Sequence, residues 1–186
     1  EEVSYSERYM CAELLVGEGT RDGRPRREPV APLERRSGPA LDLRTAAVAR
    51  LLMTGGAMGS LRSALLGGRE LGIRELVSAG RVWAFNGVAG DLDRPLLSAR
   101  KGQTVRIDLV NDTRWPHAMH LHGHHFLALR DDRPERAGDW RDTELMAPGE
   151  RLSIAFVADN PGKWLLHCHM LEHQAAGMRT WVEVGA

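Results

Sequence analysis

The chain reads as an all-β sandwich or barrel with a short helical insertion, and three observations predict it. Two-residue alternation recurs along the chain, most clearly in TVRIDLVND at 104–112 and RLSIAFVAD at 151–159. Turn residues separate the alternating stretches: Asn86-Gly87, Pro148-Gly149 and Asn160-Pro161-Gly162. From Arg81 onward the strand signals follow one another at short, regular intervals. Side chains two apart on a strand share a face, so this pattern belongs to sheets that bury one face against each other.

In chain order, residues 1–20 contain YMCAELLVGEG, where Met10, Ala12, Leu14 and Val16 alternate with Cys11, Glu13 and Leu15. That is a strand signal, and one strand cannot bury its own apolar face, so it needs a pairing partner. Residues 21–45 are rich in proline and arginine and read as a linker. AAVARLLMTGG at 46–56 looks like the opening strand of a domain that runs to residue 186. Residues 57–80 lack clear alternation, and within them GIRELVSAG predicts a short helix ended by Gly80. Met53 and Met58 read as core or loop filler.

RVWAFNG then predicts a strand that turns at Asn86-Gly87. ARKGQ after Leu97 reads as a turn. In TVRIDLVND, Val105, Ile107 and Leu109 face one way, and Arg106, Asp108 and Val110 the other. HAMHLHGHHFLALR follows, then a polar loop over 131–138, WRDTELMAPGE, RLSIAFVAD, WLLHCH and a closing TWVEV.

Composition bounds the function classes. A chain of 186 residues accommodates one ordinary domain plus an appendage. The 25 basic and 25 acidic residues cancel, which gives no sign of a nucleic acid or anionic membrane partner. No apolar run reaches membrane-spanning length, and no signal-peptide pattern opens the chain, as expected also of a mature or truncated start. With 2 cysteines, of which Cys168 is a candidate metal ligand, no structural disulfide is expected.

The chemistry is concentrated in two windows that hold all 8 histidines. WLLHCHMLEHQAAGM at 164–178 carries His167, Cys168, His169, His173 and Met178. Cys168, His173 and Met178 are spaced Cys-x4-His-x4-Met, and a thiolate, an imidazole and a thioether suit copper held by one Cys, two His and a weak axial Met. HAMHLHGHHF at 117–126 supplies His117, His120, His122, His124 and His125 as candidates for the second His. On extended backbone, His167 and His169 point opposite to Cys168, and His120 and His122 point opposite to His117. His117 and Cys168 are therefore expected at one metal, and His120, His122, His167 and His169 at another place.

HxxHxH followed by HCHxxxHxxxGM resembles the carboxy-terminal copper motifs of multicopper oxidases, the laccase-like enzymes. The likeness extends to WAFNG at 83–87, WRDTELMAPGE at 140–150 and IAFVADNPGKWLLHCH at 154–169, and spans residues from about 46 to 184. It implies a cupredoxin Greek-key barrel. It also implies a type 1 copper at His117, Cys168, His173 and Met178, a type 2 copper on His120, and a type 3 pair on His122, His167 and His169. By the same likeness, single electrons from a small reductant, a phenol or a metal ion, pass to a trinuclear cluster that reduces dioxygen to water. A periplasmic or secreted location follows from the family alone.

That cluster takes eight histidines in the family, and this chain offers half. The others are expected from an amino-terminal cupredoxin domain or a partner chain. The strand in 1–20 is then the last strand of a preceding, mostly absent domain, or else an edge strand added to this one. His124 and His125 are outside the ligand pattern, with His124 expected to pack or to donate a hydrogen bond behind a ligand, and Asp142 reads as structural. Several bacterial relatives carry an acid directly after the second type 1 histidine. Here Gln174 stands there and Glu172 precedes His173 instead, so that proton route does not carry over. The competing reading is a type 1 copper electron-transfer cupredoxin, which has no use for His120, His122, His167 and His169. A copper nitrite reductase fits less well, because its cysteine is not usually flanked by histidine on both sides.

Overall fold

The computed structural model describes residues 38–134 and 138–186. The strand read in 1–20, most of the linker, Cys11 and the tip of the loop at 135–137 lie outside the described residues. Thirteen strands and two short helices follow in order. They are β1 (Ala47–Gly55), β2 (Ser63–Leu66), β3 (Arg69–Gly72), α1 (Ile73–Ser78), β4 (Trp83–Phe85) and β5 (Leu97–Arg100). Then come β6 (Thr104–Asn111), β7 (His117–Leu121), β8 (Leu127–Arg130), β9 (Arg133–Pro134) and β10 (Thr143–Met146). The last are β11 (Arg151–Val157), β12 (Gly162–Cys168), α2 (Leu171–Ala175) and β13 (Arg179–Gly185).

Two sheets form, ordered β4-β1-β6-β11-β8-β9 and β10-β7-β12-β13-β5, with β2 and β3 as a separate hairpin. Val105, Ile107 and Leu109 on β6 have no exposed surface, as their alternation predicts. They share one core with Leu51, Phe156, Met119, Leu166 and Val182. Burying side chains of this size stabilises the fold by roughly 1.5–3 kcal/mol each. The same core takes in Cys168 and Met178, so the inner face of β12 delivers its cysteine into an apolar wall. At the end of the linker, Leu41 and Leu43 pack against Leu127, Leu129 and Ala155.

The structure departs from the sequence reading at three places. Residues 63–72, read as irregular, form the β2–β3 hairpin around Gly67 and Gly68, both at positive φ. Two four-residue strands are too short for alternation to show. ARKGQ turns only at its end, because Leu97–Arg100 is drawn into β5 by parallel pairing with β13. The segment after Cys168 is not a plain loop: α2 begins there, and its end is tied to β4 by Val82 and Trp83 N–H groups donating to the Ala176 carbonyl. The expected helix is α1, and Gly80 beyond it has φ 67°.

One glycine is required where α2 meets β13. Gly177 has φ 125°, and a Cβ there would lie 2.2 Å from the Trp83 carbonyl oxygen. Both the backbone conformation and the backbone contact exclude a side chain. Gly177→Ala is therefore expected to destabilise the chain by roughly 2 kcal/mol or more, read as a lower urea midpoint at unchanged slope. An unchanged midpoint would show that this junction is not strained by a side chain.

Candidate metal centre

Strand pairing sets the geometry. β7 lies between β10 and β12, with His120 opposite His167 and Met119 opposite Cys168. Residues opposite each other in a sheet share a face. His120 and His167 therefore lie on one side, and Cys168 on the other with the core.

On the core side, His117 and Cys168 have no exposed surface. His173 joins them from α2, whose end is held by Arg81 donating from its guanidinium to the Ala175 carbonyl at 2.6 Å. The Cys168 Sγ lies 3.8 Å from His117 Nδ1 and 3.6 Å from His173 Nδ1, and the two nitrogens are 3.2 Å apart. A tetrahedral ion with zinc-like bonds, about 2.0 Å to nitrogen and 2.3 Å to sulfur, needs such atoms roughly 3.3–3.6 Å apart. The three groups therefore fit a metal ion. Met178 is buried beside them, its N–H donating to the His173 carbonyl and its carbonyl accepting from the Cys168 N–H.

Two further residues complete this side, and the sequence reading missed their roles. The Trp83 ring lies 5.0 Å from the His117 ring and 4.7 Å from that of His173, centroid to centroid. Thr113 is buried with its Oγ1 2.8 Å from His117 Nε2. The Asn-x-Thr at 111–113, where β6 ends, is a local turn signature that marks this loop in the sequence.

On the other side, His122 Nε2 faces His167 Nε2 at 3.0 Å. His120 is 4.8 Å from the His122 ring and 5.2 Å from the His169 ring, centroid to centroid. His122 and His169 are exposed, just past the ends of β7 and β12. His167 Nδ1 lies 2.8 Å from the Cys168 carbonyl oxygen, which only accepts, so this nitrogen carries the proton and Nε2 is left bare. The bare His167 Nε2 can accept a proton from His122 Nε2 at this distance, and the same two nitrogens are close enough to share a cation. Among the described residues, His117, Cys168 and His173 form one potential metal group, and His120, His122 and His167 another.

His124 and His125 join neither group. His125 is exposed. His124 is buried against Phe156 and Trp164, with an Asp159 carboxylate oxygen 3.8 Å from its Nε2. Asp142 contributes its backbone: its carbonyl lies 3.0 Å from His120 Nδ1.

The family model for multicopper oxidases matches residues 70–186. The chain belongs to the multicopper oxidase family. It is similar to multicopper oxidase MmcO of Mycobacterium tuberculosis, 39% identical over 98 residues, which are 53% of this chain and 19% of that protein. It is also similar to a copper resistance protein A homolog of Pseudomonas syringae pv. tomato, 40% identical over 105 residues, 55% of this chain and 17% of that protein.

Among solved structures, the multi-copper oxidase from Pseudomonas thermotolerans superposes with a TM-score of 0.62 at 26% identity, covering 83% of this chain and 33% of that one. Lac15 from a marine microbial metagenome gives 0.55 at 38% identity, covering 87% and 32%. The fold is that of a cupredoxin domain. The chain spans under a fifth of the curated relatives and about a third of the solved structures.

The inner histidines are held neutral. Burial pushes the His117 imidazole down from 6.5 to about 4, and the neighbouring His173 adds to the effect. Burial also lowers His122, His167 and His173, and it raises the Cys168 thiol. In copper-free protein the unfolded chain binds these protons first as pH falls. Stability from the depressed histidines is therefore complete above about pH 6.5 and is lost as pH drops toward about 4. Between about pH 7 and about pH 5, where most carboxylates stay ionised, His117 alone accounts for roughly 2 kcal/mol. Urea melts across that window should show the loss. Stability that stays flat or rises on acidification would contradict neutral burial of these rings.

Proposed function

We propose that the chain is the carboxy-terminal copper-binding portion of a laccase-like multicopper oxidase. His117, Cys168, His173 and Met178 would hold the type 1 copper. His120, His122, His167 and His169 form half of a type 2 and type 3 cluster. Copper bound in these two sites would supply single-electron oxidation of a small reductant, a phenol or a metal ion, and reduction of dioxygen to water. A periplasmic or secreted setting belongs to the same proposal.

The observation that carries this reading is the division of three consecutive residues. Cys168 enters the core beside His117 and His173, while His167 packs against the rings of His122 and His169. A single peptide bond joins the two groups. The residue that offers its thiol to one site also holds a ring of the other, through the Cys168 carbonyl and His167 Nδ1. The apolar core around Cys168 excludes water from the sulfur, and the Trp83 ring limits the room His117 and His173 have to turn. A cupredoxin that only transfers electrons gains nothing from the second histidine group.

Residues 1–116 contain no histidine, so the chain has no source for the other half of the cluster. A missing amino-terminal domain or partner chain provides it. Copper(II) loading of this chain should give an intense thiolate band near ~600 nm that Cys168→Ser abolishes. The loaded chain alone should not sustain oxygen uptake with a phenolic reductant. A band that survives Cys168→Ser, or steady reduction of dioxygen by these 186 residues, would contradict the proposal.

A further inference from the structure

His117 and His120 lie three residues apart on β7 and turn opposite nitrogens outward. For His117 the outward atom is Nε2, on Thr113 Oγ1 at 2.8 Å. The proton in that contact can be located. Thr113 Oγ1 is 2.7 Å from Asn111 Oδ1, and two oxygens at that distance must share a proton. Asn111 presents oxygen there because its Nδ2 donates to the Trp115 and Ala147 carbonyls. The shared proton is therefore the threonine's, and Thr113 Oγ1 has only lone pairs left for the imidazole. His117 Nε2 has to donate, which leaves Nδ1 bare toward Cys168 and His173.

For His120 the outward atom is Nδ1. It meets the Asp142 carbonyl at 3.0 Å, and a carbonyl only accepts, so Nδ1 carries the proton. Thr143 Oγ1 is a second acceptor at 2.9 Å, its own proton donated to Asp142 Oδ1 at 2.9 Å. Thr143 is directly opposite His120 in the β10–β7 pairing, so sheet register delivers it. Nε2 of His120 is left bare on the side of the histidine cluster.

We propose that the protein fixes His117 and His120 in opposite ring tautomers before any metal binds. Thr113, oriented by Asn111, is the positioning residue for His117, and the Asp142 carbonyl with Thr143 positions His120. Each ring then presents a ready lone pair, and neither has to rotate or exchange a proton between its nitrogens when a metal arrives. This choice of tautomer by the outward hydrogen bond is a general device of histidine ligands.

Tautomers belong to the metal-free rings, so they are read without copper and independently of the proposed function. Long-range proton–nitrogen NMR of the isotope-labelled, copper-free, reduced chain at about pH 8, above the ordinary imidazole range, distinguishes the two forms. The expected result is an Nε2–H ring for His117 and an Nδ1–H ring for His120. The same tautomer for both, or an averaged mixture for either, in the unaltered chain would overturn the proposal, whether or not any variant folds.

Thr113→Val should let His117 sample both forms while His120 keeps its own, and Thr113→Ser should restore the single form. Copper(II) affinity at the inner site should fall by about 10-fold or more in Thr113→Val and recover in Thr113→Ser. A folded Thr113→Val that retains a single Nε2–H ring at His117 would show that Thr113 does not position it.

Discussion

Everything in this molecule depends on the two-residue period of a β-strand applied to His167-Cys168-His169. Neighbouring side chains on β12 leave by opposite faces, so one short peptide serves two environments. The cysteine goes to the core, where burial raises its thiol and the His117 and His173 rings flank it, each also against Trp83. The histidines go to the other face, where His167 is buried against the His122 ring and His169 is exposed. A one-residue shift of register would exchange the two sets and destroy both sites.

The rest of the fold holds that register. β7 pairs with β12 so that His120 meets His167, and β13 pairs with β12 along its length from Gly162 to His167. The core cluster locks the inward face of these strands, and a slip would expose Leu166 and Met119 to water. α2 solves a different problem. It turns the chain straight back after Cys168, so that His173 reaches the cysteine from the end of the sandwich. Its end is held through the Ala175 and Ala176 carbonyls by Arg81, Val82 and Trp83, so the segment that leads into β4 and contributes Trp83 also steadies the one that contributes His173.

Much of this was legible in the residues. Alternation located β6 and β11, Asn86-Gly87 located the turn after β4, and face arithmetic on HAMHLHG and WLLHCH separated His117 and Cys168 from His120, His122, His167 and His169, as the two side-chain groups lie in the structure. What was not legible has physical reasons. β2 and β3 are four residues each, too short for a period to show, and β5 exists because β13 recruits it. α2 has no side-chain cap hydrogen bond to announce it. Thr113 and Thr143 matter through contacts that depend on loop closure and cross-strand register. Nothing in their own neighbourhood says which ring nitrogen they will meet.

In the proposed arrangement Cys168 and its two neighbouring histidines serve different metals on opposite sides of the chain at the end of β12. Anomalous scattering at the copper edge, from crystals of the copper-loaded chain, is the decisive measurement. A copper is expected among His117, Cys168 and His173 that touches neither His167 nor His169, with any further copper confined to His120, His122, His167 and His169. A single copper held jointly by the Cys168 sulfur and either flanking imidazole would contradict it.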